Sequence, residues 1–373
     1  MGEIGESFIG LTYKPTDVVS EGGLIVFRSS NIQNGCMDYK DIVRVNKNVK
    51  EKLITKKDDL LVCARNGSAR LIGKNAILHE IDANQTFGAF MMVFRSDINH
   101  FVHQLLNTRR YSSQVSENLG ARINQITSSD LSSFEFFFPK GNSEMNKIAA
   151  LLDLLDERIA TQNKIIDKLQ SLIKGINQRV FMNNGINYKL GEVCEIRSGY
   201  SGNQLLSKKG LKVSRIETIS GHKVNLERVG YVAPFESSEN YKLQVGDILF
   251  SNINSVEYIG NTAFIDKDYN LYHGMNLLRL TPNNMVVIPF YLYLLLNTNR
   301  MLNRFKTVCN KAVSQASINQ TELGKTVVQI PDINAQKQIC ELYQALYDKL
   351  ESEKYANSLF QKQKQYLLRQ MFI

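Results

Sequence analysis

The sequence predicts a mixed α/β protein of α+β character: two similar globular domains separated by two long antiparallel coiled-coil helices, related by an internal pseudo-two-fold repeat. Three observations lead there. Short motifs recur about half a chain length apart, strand-like and helix-like runs are mixed within each half, and each half closes on a heptad seam.

The duplication is legible in the letters. Gly2-Glu3-Ile4 returns as Gly191-Glu192-Val193, and Leu105-Leu106-Asn107-Thr108 returns unchanged as Leu295-Leu296-Asn297-Thr298. Ile72-Gly73-Lys74-Asn75-Ala76 is echoed by Ile259-Gly260-Asn261-Thr262-Ala263, and Pro139 followed by Ile148 by Pro331 followed by Ile339. All these offsets lie between 187 and 192 in a chain of 373 residues, so two copies of one unit explain it better than one large fold.

In the first copy, β-branched and aromatic runs at Leu24–Arg28, Leu60–Arg65, Ala89–Phe94 and Phe134–Phe138 predict strands. Helical spacing covers Ile98 to Asn118. The second copy repeats this order with strand-like runs at Leu211–Glu217, Asp247–Phe250 and Leu277–Leu280, then a helix from about Pro289 to Thr307.

Each copy then enters a seam. From Ile148, apolar residues recur at Leu152, Leu155, Ile159, Ile166, Leu169, Ile173, Ile176 and Val180, in steps of four and three broken only at Gln162. That is a coiled-coil pattern. The second seam, 191 residues on, runs through Ile339, Tyr343, Leu346, Leu350, Phe360, Leu367 and Met371, interrupted by Glu353, Asn357 and Lys364. A parallel homodimer of this helix would bury those three against themselves, at appreciable cost. Pairing of the first helix with the second is the better arrangement; if they pair within one chain, the domain between them carries the polypeptide back and the pair is antiparallel, the plain alternative being a short helical hairpin inside an ordinary domain. A seam of about 33 residues at 1.5 Å per residue spans roughly 50 Å. The expected divisions are residues 1–145, 146–183, 184–332 and 333–373: domain, helix, domain, helix.

Composition is that of a globular protein, with 43% hydrophobic and 22% charged residues. The longest apolar run, Met285 to Leu296, is too short to span a bilayer, and the start of the chain lacks the pattern of a secretory signal. A cytoplasmic protein without membrane contact is expected. The five cysteines are scattered and form no C-x-x-C pair, which argues for reduced thiols and against structural zinc. His100 and His103, three apart in a helical stretch, read as surface residues rather than metal ligands. Net charge is +9; residues 1–140 hold 17 basic and 15 acidic side chains, residues 184–331 hold 16 and 11. The excess sits in globular parts, so contact with a polyanion falls to folded surface rather than a basic tail.

No catalytic constellation is present. Gly67 to Lys74 has five residues between its glycines where a phosphate-binding loop has four, and Asn75 where that loop has Ser or Thr. G-x-G-x-x-G, G-x-S-x-G and H-E-x-x-H are missing from the sequence, and no cofactor is expected on this chain.

What recurs instead are polar loops after equivalent strands. Arg28-Ser29-Ser30-Asn31 corresponds to Arg215-Ile216-Glu217-Thr218, and Arg65-Asn66-Gly67-Ser68-Ala69-Arg70 to Asn252-Ile253-Asn254-Ser255. Gly120-Ala121-Arg122-Ile123-Asn124-Gln125 corresponds to Lys311-Ala312-Val313-Ser314-Gln315-Ala316. Arg, Asn, Gln and Glu are the side chains that read base edges, while Arg70, Lys74, Arg109 and Arg110 suit phosphates. The plain alternative, solvated loops capping strands, does not explain why both copies stay polar while their letters differ. A common scaffold with different side chains predicts two readers of double-stranded DNA with different targets.

The whole pattern resembles the specificity subunit of a type I restriction-modification system. The stretches that carry the resemblance are Arg28 to Ile32, the strand starts Asp59-Leu60-Leu61 and Asp247-Ile248-Leu249, and the passages through Pro139 and Pro331 into the helices. The helix ends Gln178-Arg179-Val180-Phe181 and Arg369-Gln370-Met371-Phe372 add to it. The resemblance implies a non-catalytic chain with two target-recognition domains reading a bipartite, asymmetric site. It implies helices that act as a ruler and as a platform for two modification (methyltransferase) subunits. S-adenosylmethionine would sit on those partners, and ATP and magnesium on restriction/translocase subunits. With Gly2-Glu3 opening the repeat, any N-terminal extension of the family is expected to be absent or dispensable. Two alternatives remain beside it: a homo-oligomeric coiled-coil DNA-binding regulator or architectural protein, which has no need of two dissimilar domains, and a nuclease or self-contained methyltransferase, whose motifs the sequence lacks.

Overall fold

The computed structural model describes residues 1–119, 124–181, 185–311 and 315–372. The chain divides into two compact units: Met1–Ile166 with Glu353–Ile373, and Asp167–Ser352. Each holds one globular part and a portion of both long helices.

In the first unit a four-stranded antiparallel sheet has the order Glu6–Ile9, Met91–Arg95, Leu60–Cys63, Asn75–Ile77. Its central strands are apolar on both faces, as continuous runs require. Leu60, Val62, Met92 and Phe94 pack with Val102, Tyr111 and Val115, while Leu61, Cys63, Met91 and Val93 pack with Phe27, Ala76 and Phe87. The second unit repeats the order with Cys194–Ser198, Leu278–Pro282, Ile248–Phe250 and Thr262–Phe264. The outer strands of both sheets carry no strong apolar run, and the sequence reading missed all four.

The repeated motifs are repeated joints. Asp59 accepts from the Lys56 amide and pairs with Arg95, Nε–Oδ1 2.8 Å and Nη2–Oδ2 2.9 Å. Asp247 accepts from the Gln244 amide and pairs with Arg279 at 2.9 Å, while Thr281 Oγ1 donates to its other oxygen. Gly73 (φ +80°) and Gly260 (φ +84°) hold left-handed turns where a Cβ would strike Tyr111 and Phe305 respectively, so only glycine fits.

The Leu-Leu-Asn-Thr motif is a helix break, which corrects the single helices expected over Ile98–Asn118 and Pro289–Thr307. Thr108 Oγ1 donates to Leu105 O (2.7 Å) and accepts from the Tyr111 amide, separating Asn99–Leu105 from Arg109–Leu119. Thr298 does the same with Leu295 O (2.8 Å) and the Met301 amide, between Pro289–Leu296 and Asn299–Val308. A hydroxyl that caps a second helix outweighs continuous periodicity.

Phe134–Phe138, expected as a strand, pairs with none. Arg110 and Gln114 donate to Glu135 O, and Gln114 Oε1 accepts from the Glu135 amide, so side chains replace a ladder. Its counterpart Val327–Ile330 does pair, with Ile186–Lys189. The run Leu211–Glu217 is a strand only through Val213, then turns at Ile216–Ile219.

The long helices run Asn142–Val180 and Ile333–Met371, 39 residues each. Within the first unit they are antiparallel and paired through the residues that interrupt the seams. Lys364 Nζ bonds both oxygens of Asp156 (2.5 and 2.7 Å), Asn357 Nδ2 donates to Asn163 Oδ1 (2.9 Å), and Gln162 donates to the Glu353 carboxylate. Leu152 is buried; Leu155, Ile159, Ile166, Phe360 and Leu367 are half-buried, and Leu368, next to the expected Leu367, is buried. In the second unit Leu169, Ile173 and Leu346 are half-buried and Leu350 is buried. There Tyr343 is fully buried, its hydroxyl bonded to Asn177 Oδ1 (3.2 Å). Among the described residues, no helix is long and apolar enough to cross a membrane.

Burial holds the His273 imidazole neutral, lowering its pKa to about 4, with the Arg279 charge adding to the effect and a bond to Leu277 O opposing it. An unfolded chain takes up this proton near pH 6.5. Stability should therefore be insensitive to this group above 6.5 and fall as pH drops from there to about 4. Urea midpoints measured across that window should decline less steeply in His273→Asn than in the parent; equal slopes would refute the assignment.

Candidate nucleic-acid interface

In the first unit the fold gathers the loops at 28–31 and 65–70 with Asn124 and Gln125 of the third. Arg28 begins a tight turn in which its amide donates to Asn31 Oδ1 (2.9 Å), and Asn31 Nδ2 donates to the carbonyls of Asp38 (3.0 Å) and Asp41 (2.9 Å). Asn31 is 1% exposed, so it builds the turn and keeps no edge for a base. The Arg28 guanidinium lies 2.7 Å from Asp41 and stays one-third exposed. Ser29 Oγ accepts from Asn66 Nδ2 (3.0 Å), and its carbonyl lies 3.4 Å from Lys74 Nζ. The Asn66 amide donates to Asn124 O, and Asn124 Nδ2 donates to Gly67 O (3.0 Å). Arg65 bridges to Gln125, and its guanidinium sits 5.2 Å over the ring of Phe90, itself 58% exposed.

Ser29, Arg65, Asn66, Lys74, Asn124 and Gln125 thus form one surface, with Arg65 and Arg70 open to solvent. Burial lowers the Lys74 pKa, the nearby Cys63 thiol opposing this. Phe90 was hidden from the sequence reading inside the run Ala89–Phe94, because only the fold brings it to Arg65. Arg110, expected on phosphate, is spent on Glu135 O (2.7 Å) and the ring of Phe137 (5.0 Å). Arg109 stays exposed.

The second unit uses the same turn with other letters. The Arg215 amide donates to Thr218 Oγ1 (2.9 Å), which donates on to Arg228 O (2.6 Å); Thr218 is fully buried and, like Asn31, structural. Arg215 and Glu217 are exposed and face each other at 3.5 Å. The other two loops meet in a small sheet: Ile253–Asn254 pairs with Ala316–Ser317, which pairs with Asn310–Lys311. Asn254 donates to Ser251 Oγ (3.0 Å) and accepts from the Ser255 amide (2.8 Å), and the Asn252 carbonyl takes the Ile318 amide. Ser255 and Gln315 are exposed. Arg122, Ser314 and the Lys311 side chain lie outside the described residues.

The arrangement is that of a binding protein: paired strands and turns hold a display of amides, hydroxyls and guanidinium groups, repeated once with different exposed members. Comparison with known proteins gives the class. The type I restriction modification DNA specificity domain matches residues 1–171 and again 185–358. The chain belongs to that family.

Among its relatives, the MjaX protein of Methanocaldococcus jannaschii, named for a type I restriction enzyme specificity subunit, is 42% identical over 158 residues, 41% of this chain and 37% of that one. That match spans well under two thirds of the relative. The EcoKI specificity subunit of Escherichia coli is 27% identical over 376 residues, 91% of this chain and 79% of that one. In fold, the chain is similar to the S subunit of a type I restriction-modification system from M. genitalium, with a TM-score of 0.64, 17% identity, and coverage of 100% of this chain and 94% of that one. It is also similar to a chain from a type I system solved to explain complex assembly and conformational transition, with a TM-score of 0.54, 15% identity, and coverage of 98% and 97%.

Proposed function

We propose that this chain is the non-catalytic subunit that gives a type I restriction-modification complex its DNA sequence specificity. Residues 1–145 and 184–332 are the two target-recognition domains, and 146–183 and 333–373 the helices between and after them. Each domain reads one half of a bipartite, asymmetric site in double-stranded DNA. The observation that carries this is the duplicated turn: Arg28 with Asn31, and Arg215 with Thr218, keep one backbone geometry while the exposed loops around them differ. Arg65, Asn66 and Gln125 in one unit, and Arg215, Glu217, Asn254 and Gln315 in the other, suit different base edges.

The helices support a second role. Besides the paired seam they carry an exposed apolar set, Leu151, Leu154, Ile165 and Leu172 on one and Leu342, Tyr355, Leu359 and Tyr366 on the other. Exposed leucines and tyrosines at such density suit partner helices, here those of two modification (methyltransferase) subunits. S-adenosylmethionine belongs to these, and ATP and magnesium to the restriction/translocase subunits that join them, in the cytoplasm. A homo-oligomeric regulator would leave the two different loop surfaces without a purpose.

Exchanging residues 1–140 for the corresponding part of another family member should change one half of the methylated site and leave the other half intact. Base-resolution methylation mapping in cells carrying the hybrid reads this directly. A change in both halves would overturn the two-reader arrangement.

A further inference from the structure

The two units differ at a place the sequence reading took to be bland. His103 is not a surface residue: it is 5% exposed, and neither ring nitrogen has a hydrogen-bond partner. The fold brings it Asp153 and Asp156 from the first long helix, residues too far along the chain to be seen as neighbours. One ligand atom from each of the three lies within 4.8 Å of the other two. Around them, Gln104 Nε2 donates to Asp153 Oδ1 (2.8 Å) and Asp156 Oδ2 (3.0 Å), His100 Nδ1 lies 2.5 Å from Asp153 Oδ2, and Lys364 Nζ bonds Asp156. In the second copy the positions of His100, His103 and Gln104, 190 residues on, hold Phe290, Tyr293 and Leu294; those of Asp153 and Asp156, 191 on, hold Gln344 and Tyr347. There Phe290 packs on Tyr293 and Tyr347, ring centroids 6.0 and 6.3 Å apart. A joint that serves with aromatic packing in one copy carries two histidines and two carboxylates in the other.

Helix docking does not require that polarity. A buried imidazole without partners is destabilising, and the carboxylates outnumber the single ammonium beside them. Burial lowers the His103 pKa, with Lys364 adding to the effect and Asp156 and Asp153 opposing it. One imidazole nitrogen and two carboxylate oxygens within 4.8 Å of one another are the donor types of a borderline divalent ion such as zinc. The bonds from His100 and Gln104 would orient the carboxylates, as outer partners do in metal sites.

We propose that His103, Asp153 and Asp156 bind a divalent transition-metal ion of the zinc type, in exchange for the Lys364 ammonium. Because Lys364 ties the second long helix to the first through Asp156, occupancy by the ion releases that tie.

The test uses the full chain, stripped with chelator and titrated with Co²⁺, then with Zn²⁺ in competition. The expected result is a saturable d–d absorption at one ion per chain, without a thiolate charge-transfer band, displaced by Zn²⁺. Lys364→Met should shift the Kd lower, and His103→Ala and Asp156→Asn should lose the absorption while keeping the parent's circular dichroism. Lack of saturable absorption in the parent, which needs no variant to fold, overturns the proposal. Absorption unchanged in His103→Ala, or a thiolate band, overturns it as well; a Kd unchanged in Lys364→Met overturns the exchange.

Discussion

Arg95→Met should lower the free energy of unfolding by about 3–5 kcal/mol, and Arg279→Met by a similar amount, the range found when one partner of a buried ion pair is removed. The reason is the carboxylate left behind. The Asp59 side chain is 4% exposed and Asp247's 1%, and each opens a central strand, where it holds a preceding turn through a backbone amide. Without the guanidinium each charge is stranded in a low-dielectric site. Arg95 also donates to the carbonyls of Lys52 and Ile54 and stacks 5.1 Å from Phe8, so its removal leaves more than one group unpaired. Removing both partners, as in Asp59→Leu with Arg95→Met, should recover much of the loss, because the desolvated charge goes too. Urea unfolding followed by circular dichroism measures this. A loss below about 1 kcal/mol for the single variants, as at an exposed pair, would refute the account.

These pairs also explain why so much of the fold was legible. The Asp-Leu-Leu and Asp-Ile-Leu strand starts, the Leu-Leu-Asn-Thr break and the glycines at 73 and 260 each perform one local task with a few adjacent residues, so duplication preserved their letters. The loops at 28–31, 65–70, 252–255 and 315 were visible for another reason: they recur as polar stretches after equivalent strands although their letters differ. Two kinds of feature stayed hidden. Asn31 and Thr218 look like base readers until burial shows them as acceptors in turns closed by near neighbours, Arg28 and Arg215; the others depend on residues far apart in sequence. Phe134–Phe138 looks like a strand until helix side chains take its backbone bonds. His103 looks exposed until Asp153 and Asp156 arrive from another helix. For Phe134–Phe138 and His103 the deciding partners are supplied by tertiary structure, which residue type and periodicity do not encode.

Matched seven-residue helical inserts in both long helices should lengthen the unread spacer of the recognised site and leave both half-sites unchanged. The polar pairs dictate why both helices must change. Gln162 and Asn163 meet Glu353 and Asn357, while Asn177 meets Tyr343. An insert between Asn163 and Asn177 alone would slide one set of partners out of register and bury Glu353 or Asn357 against apolar seam residues, at several kcal/mol. A second insert between Tyr343 and Glu353 restores both sets, and a whole heptad keeps the seam on one face. Seven residues add about 10.5 Å, the rise of about three base pairs, since a helical turn of roughly 34–36 Å holds about ten. The single-helix insert should instead lower thermal stability and abolish methylation. Methylation mapping distinguishes these outcomes: an altered half-site with an unaltered spacer would mean that the helices are a platform only, and that separation of the two readers is set elsewhere.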